Sequence, residues 1–420
     1  MDGVDANIGE RIILPSSHIG SPCHMYQLFQ DSMAICRYYR KPDIFLTMTA
    51  NPNWPEIQEQ LLKDEPVPGR PEKRQEVSDR PDIVARVFEE KKKALLKEIK
   101  NGLFGNVVAT VHTIEFQKRG LPHMHLLIFL DQPYKFRNPE DVDTLVSAQI
   151  PDPATHPTLY ETVSTCMLHG PCGAKCMVNG KCSKNFPKSF RDDTHFGEDG
   201  YPDYARPDNG CKITKGNNVY DNRHVVPYNP YLSAKYNCHI NVEVCASISA
   251  IKYIHKYIYK GHDRATIEIS GGVQDEIKEY LDARYVSAIE ACWHIFEFGM
   301  HAESPSVYCL PVHLKDQHMV YFNAEDDLDG VMERETTKKT ALTAFFEANK
   351  EGLSGAKDTL YQDFPHKFVF DKKKKKWTVR KKGTAIGRMY FSVPSQGERF
   401  YLRTLLTVVK GPESFEDLRT

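Results

Sequence analysis

A chain of 420 residues is too long for one ordinary hydrophobic core, so two or three structural units are expected. Basic and acidic residues nearly cancel, 55 against 56 for a formal charge of -1, which excludes polyanion binding driven by overall charge and leaves only a local patch for nucleic acid. No apolar run approaches the ~20 residues that span a bilayer, and the N-terminal stretch lacks the basic and apolar regions of a signal peptide. The eleven cysteines therefore read as intracellular thiols or metal ligands, not as a disulfide framework.

In chain order, a turn-rich entry leads to a helix over CHMYQLFQDSMAICRYY, and PDIFLTMTANPNW then reads as a buried strand over Ile44–Thr49 closed by Asn-Pro. The polar, proline-punctuated stretch 56–81 predicts a loop with some helix. Apolar residues at helical spacing from Ile83 to Lys100 predict a helix stopped by Gly102. NVVATVHTIEF is strongly β-prone. Gly120 and Pro122 in KRGLP punctuate a hairpin into the strand HMHLLIF. Residues 131–160 look like a boundary, 166–182 are Cys-rich, and 190–224 are polar and Gly-rich. HINVEV (239–244) reads as a strand, followed by a helix carrying KYIHKYIYK and a second helix over 275–299. Residues 305–420 mix short strands with a basic hairpin, and no repeat at solenoid spacing is present.

His123 and His125 sit two apart on a strand, so both imidazoles point to one face. Pairing the hairpin about Gly120 places Gln117 opposite His123 and Glu115 opposite His125. Cross-strand Cβ atoms lie roughly 4.5–5.5 Å apart, within reach of a shared ion. Isolated His-x-His pairs are mostly packed or surface histidines; the coplanar carboxylate and amide argue otherwise, because uncompensated polar groups on a buried face are costly. His112 lies on the opposite face and reads as structural.

In KYIHKYIYKGHD, Tyr253 and Tyr257 stack one helical turn apart, as do Lys256 and Lys260, and Gly261 ends the helix. Tyrosines at helical spacing are usually core, but Ile251, Ile254 and Ile258 already supply an apolar stripe. A tyrosine with a free pKa of about 10 needs a nearby cation to become a nucleophile, and the lysines or a metal across a cleft would serve. Downstream of the hairpin, His169, Cys172, Cys176 and Cys182 provide four soft ligands in a Gly-rich loop, suited to a closed structural Zn²⁺ site; Cys166 could replace His169. Cys238 and Cys245 read as ordinary buried thiols.

Taken together, HMH, the preceding FLTMT and the two-tyrosine KYIHKYIYKG resemble the HUH endonucleases of rolling-circle replication, and most closely the Rep nuclease region of Helitron transposases. RIILPSSHIGSP, EFQKRGLPHMHLLIF, HGPCG, KCSKNFPKSF, VVPYNPYL and ERFYLRTLL extend the resemblance along nearly the whole chain. It implies an α+β fold: a ferredoxin-like HUH nuclease core with an antiparallel central sheet, a Cys/His zinc-binding insertion and a C-terminal α/β extension. The expected organisation is an N-terminal segment (1–40), the first part of the core (41–150), the zinc insertion (151–224), the second part of the core with the tyrosine helix (225–304), and the extension (305–420). No G-x-x-x-x-G-K-[ST] occurs, so the helicase that follows the nuclease in Helitron proteins is expected outside this stretch.

The resemblance also implies metal-dependent cleavage and rejoining of single-stranded DNA at transposon ends. Tyr253 and Tyr257 would be nucleophiles, assisted by Lys256 and Lys260, and Mg²⁺ or Mn²⁺ would sit on His123, His125 and either Glu115 or Gln117. The alternatives are a non-catalytic module that binds transposon ends, and a zinc hydrolase built on the histidine pair. Lys118 and Arg119 could hold the scissile strand. Lys372–Lys376 with Trp377, Arg380, Lys381 and Lys382 fit a hairpin that tracks phosphates and stacks a base, or equally a solvated turn. The expected location is intracellular and nuclear, with no membrane partner.

Overall fold

The structure is a computed structural model. It describes residues 21–61, 66–67, 70–116, 120–173, 176–197, 201–245, 265–267, 281–283, 286–319, 327 and 339–419. The chain forms two compact units: residues 1–29 with 39–302, and residues 30–38 with 303–420.

The first unit is built on a mixed α+β plan. Helix α1 (Pro22–Tyr39), of which residues 30–38 belong to the second unit, starts where the Ser21 side chain accepts a hydrogen bond from the His24 N–H and Pro22 occupies the first turn, a pre-formed helix start. Strand β1 (Ile44–Thr49) follows. Helix α2 (Pro81–Lys100) again opens on a proline, and β2 (Val107–Phe116) and β3 (Pro122–Leu130) form the hairpin. Later come α3 (Pro157–Cys166), α4 (Pro230–Tyr236), β4 (Ile240–Val244), α5 (Ala288–Ile295) and β5 (His301–Ser304). The five strands make one sheet in the order β4-β1-β3-β2-β5, with β4–β1, β1–β3 and β3–β2 antiparallel.

Strand periodicity divides this sheet into two chemically different faces. Ile44, Leu46, Met48, Ile114, Met124, Leu126, Ile128, Ile240, Val242 and Val244 point one way, into a core shared with Val84, Phe88, Leu95 and Ile99 of α2 and with Trp54 and Trp293. Each such side chain contributes about 1.5–3 kcal/mol on leaving water. The alternate residues of the same strands include Phe45, Thr47, Thr49, Thr113, Glu115, His123, His125, Asn241 and Glu243. One sheet therefore carries a core on one side and a polar surface on the other.

Two sequence expectations are corrected in this unit. Stretch 56–81 is not simply loop with helix: the backbone forms a small hairpin, Pro66–Val67 with Arg70–Arg74. The single helix expected over 275–299 is replaced by a strand, Leu281–Ala283, paired antiparallel with Ala265–Ile267, and by the short α5. Ser287 starts α5 because its hydroxyl accepts from the Glu290 N–H, and Glu297 at φ 55° lies just beyond its end.

In the second unit, β6 (Ser306–Leu310) runs parallel to β9 (Ala385–Met389), and β7 (Phe368–Asp371) pairs with β8 (Lys376–Val379) in a hairpin. Helices α6 (Ala341–Lys350) and α7 (Glu398–Leu405) complete it. Phe345, Tyr361, Phe364, Phe368 and Trp377 fill its core. Within the same unit Asp31 pairs with Arg388 at 2.6 Å. Trp377 is 1% exposed and donates its indole N–H to the Ala341 carbonyl, so it is a core residue and not a base-stacking one. Arg380 is likewise spent on the carbonyls of Pro365 and Phe368.

Candidate active site

The polar sheet face holds both predicted histidines on β3. Thr49 lies across from His123 and Thr47 across from His125 on β1; on the other side Glu115 faces His123 and Thr113 faces His125. This corrects the expected register. The hairpin closes with Phe116 opposite Pro122, leaving a five-residue connection, so the pairing is centred one residue before Gly120 and every partner shifts by two. A shift of two preserves the face, and Glu115 remains coplanar with both imidazoles. Its Oε2 lies diagonally, 3.4 Å from His125 Nε2. Gln117, Lys118 and Arg119 lie outside the described residues.

The two imidazoles meet edge to face at 4.4 Å between centroids, and Phe45 stacks on His125 at 5.8 Å. Thr49 Oγ1 is 2.6 Å from His123 Nδ1. With the Nδ1–H donated to that hydroxyl, Nε2 keeps a lone pair, the arrangement that orients metal-ligating histidines. Burial, followed by the neighbouring His125, holds the His123 pKa well below 6.5, so this imidazole is neutral at physiological pH. Two imidazoles and a carboxylate are donors of the type that suits Mn²⁺, but here the three ligand atoms are not gathered within 4.8 Å of one another as those of the Cys/His group are.

His123 and His125, with Phe45 and Thr47, open into a cavity of ≈ 1280 Å³. One wall is the sheet face; another is formed by Lys184–Arg191 and Tyr201–Arg206. Residues that sequence reasoning missed also line it: His239, Asn241 and Glu243 from the edge of β4. The alternation in HINVEV was the available signal, since His239, Asn241 and Glu243 stand at period two. His239 Nδ1 lies 2.9 Å from the Cys166 carbonyl, and burial lowers its pKa.

The expected zinc ligands are brought together in part. His169 Nε2 lies 3.2 Å from both Cys172 Sγ and Cys182 Sγ, and the three ligand atoms all fall within 4.8 Å of one another. Cys176 is exposed and outside that group, as is Cys166, whose Sγ contacts Thr165 Oγ1 instead. Met177–Val178 and Lys181–Cys182 pair as a tiny hairpin turned by Asn179 and Gly180 at positive φ, which delivers Cys182 to the cluster. The Lys184 N–H lies 3.4 Å from Cys182 Sγ. Two thiols and an imidazole are soft donors suited to Zn²⁺.

Tyr253, Tyr257, Lys256 and Lys260 lie outside the described residues, as do Ile251, Ile254 and Ile258. Cys238 and Cys245 are buried, with burial raising both thiol pKa values.

Residues 1–128 match the family model described as the Helitron helicase-like domain at the N-terminus. Over those residues the chain is similar to Helitron-type proteins, which is consistent with a Helitron transposase region. The Helitron-type stretch ends inside β3 and contains Glu115, His123 and His125; the Cys/His cluster lies beyond it. No curated protein matches the chain. Among the described residues no helix is long and apolar enough to cross a membrane.

Proposed function

We propose that this Helitron-type chain is a metal-dependent single-stranded DNA endonuclease and strand transferase, with a ferredoxin-like HUH core. The observation that carries the reading is the placement of His123, His125 and Glu115 on one sheet face, with the two histidines opening on a cavity whose other wall carries Lys184, Lys188, Arg191 and Arg206. His123, His125 and Glu115 would hold the divalent ion, Mg²⁺ or Mn²⁺, which when bound supplies Lewis-acid polarisation of a phosphodiester. Thr49 fixes the His123 ring, and Phe45 packs against His125, so the chain sets the orientation of both rings.

Tyr253 or Tyr257 is the proposed nucleophile. Its phenolate oxygen forms a bond to phosphorus as the bond to the 3′-oxygen breaks; the leaving 3′-oxygen takes up a proton, and the DNA stays attached as a 5′-phosphotyrosine. The phosphodiester energy is retained, so a 3′-hydroxyl can reverse the step and join strands. Lys256 and Lys260 would stabilise the phosphate charge, and the second tyrosine permits a second transfer. The Helitron-type match over residues 1–128 supports a DNA substrate, and transposon ends are the proposed target.

Incubating the protein with labelled single-stranded transposon-end DNA and Mn²⁺, then denaturing it, tests this directly. A labelled protein adduct that disappears in Tyr253→Phe/Tyr257→Phe is expected. Binding without any adduct would favour the non-catalytic DNA-binding module, and an adduct that survives the double substitution would refute the assigned nucleophiles.

A further inference from the structure

We infer that Lys184 and Lys188 form a phosphate-binding wall for single-stranded DNA opposite the histidine pair, and that the Cys/His hairpin exists to position it. The inference rests on the substrate class proposed above.

Both lysines line the same cavity as His123, His125 and His239. Among the described residues neither amine has a carboxylate within 4.0 Å, whereas most other polar groups on that wall have close partners. Asp203 pairs with Arg191 at 3.0 Å, and Glu243 accepts from the Asn241 amide at 2.9 Å. Arg206 gives its guanidinium to the carbonyls of Asn222 and Val225. Both ammonium groups thus face the cavity, Lys184 from an exposed position and Lys188 with the charges of Asp203 and Glu243 acting on it from beyond ion-pair distance. Lys188 is half-buried, so its anion would be partly desolvated. A phosphodiester chain running past the imidazoles supplies the matching charge.

The hairpin positions both side chains through a short series of contacts. Cys182 receives the Lys184 N–H on its sulfur, and its carbonyl accepts from the Asn185 N–H at 2.9 Å. Phe186 stacks on His169 with centroids 4.3 Å apart. The Lys188 ammonium sits 5.3 Å above the Phe186 ring, and its backbone N–H is anchored on the Arg223 carbonyl at 3.0 Å. Organising the Cys/His group therefore fixes Phe186, and Phe186 fixes Lys188. The site that looks purely structural becomes a positioning device for the cleft.

The test is fluorescence anisotropy of a labelled single-stranded oligonucleotide on the full chain, without added divalent ion, across a salt series. Lys184→Gln/Lys188→Gln is expected to lower the slope of log K against log salt by about 1.4, from about 0.7 per lost phosphate contact. Between 50 and 200 mM salt that is about a sevenfold smaller loss of affinity than in the wild type. Lys184→Arg/Lys188→Arg should restore the slope, and Mn²⁺ binding by calorimetry should be retained in both. Cys182→Ser should lose bound zinc and reduce the slope equally, with no further reduction when combined with the glutamine pair. An unchanged slope in the glutamine variant, or no binding by the wild type, overturns the inference. A tyrosine-dependent adduct with an unchanged slope would overturn it while leaving the nuclease reading intact; slope loss without any adduct would do the reverse.

Discussion

Replacing His112 with leucine should change how the first unit responds to acid while leaving the divalent-ion site alone. His112 stands on the core face of β2, 8% exposed, across from Leu126, whereas His123 and His125 occupy the other face. Burial, then the charges of Lys92 and His301, lower its pKa from 6.5 to about 3. The native state therefore keeps this imidazole neutral over a pH range in which the unfolded chain binds a proton. The sign follows from that difference: stability is present above pH 6.5 and is lost as pH falls from there toward about 3. At pH ~4.5, two units below the unfolded value, the loss from this residue is about 2.7 kcal/mol, from 1.36 kcal/mol per unit. Urea unfolding followed by tryptophan fluorescence at pH ~7.5 and pH ~4.5 measures it, because Trp54 and Trp293 sit in the same core. The leucine variant should lose about 2.7 kcal/mol less than the wild type between the two pH values. Equal losses would refute the account of His112 as a core residue kept neutral by burial.

Other substitutions separate site from scaffold. Thr49→Val removes the hydroxyl against His123 Nδ1 and should weaken Mn²⁺ affinity by about 10–100-fold in calorimetry without unfolding the chain. Cys172→Ser should release zinc detectable with a chromogenic chelator, while His123→Ala/His125→Ala should retain it. Trp377→Ala should destabilise the second unit by about 3–5 kcal/mol in thermal melts, since its ring is buried against Phe364 and Tyr308. Gly387→Ala should be similarly harmful, because a Cβ there would collide with the Gln362 carbonyl oxygen.

Local patterns were legible where they depended on neighbours in sequence. The apolar run Ile44–Thr49, the helix spacing before Gly102 and the same-face placement of His123 and His125 all follow from period and punctuation. The pairing partner of His123 was not legible, because it depends on how many residues the turn consumes, and five replaced the expected count. Trp377 was misread beside lysines because its burial is decided by Ala341, 36 residues away. His239, Lys184 and Lys188 reach the histidines only through tertiary packing, so no spacing rule linked them to HMH. Family resemblance linked the tyrosines to the histidines, and these remain tied to the site by proposal.

The most direct test of the central claim is Mn²⁺ titration of the intact chain by isothermal calorimetry after its zinc site is filled. One additional divalent site should appear in the wild type and vanish in His123→Ala/His125→Ala, with Glu115→Gln weakened and the site retained in Lys184→Gln/Lys188→Gln. Undiminished Mn²⁺ binding in the histidine double variant would contradict the assignment of the polar sheet face as the metal site.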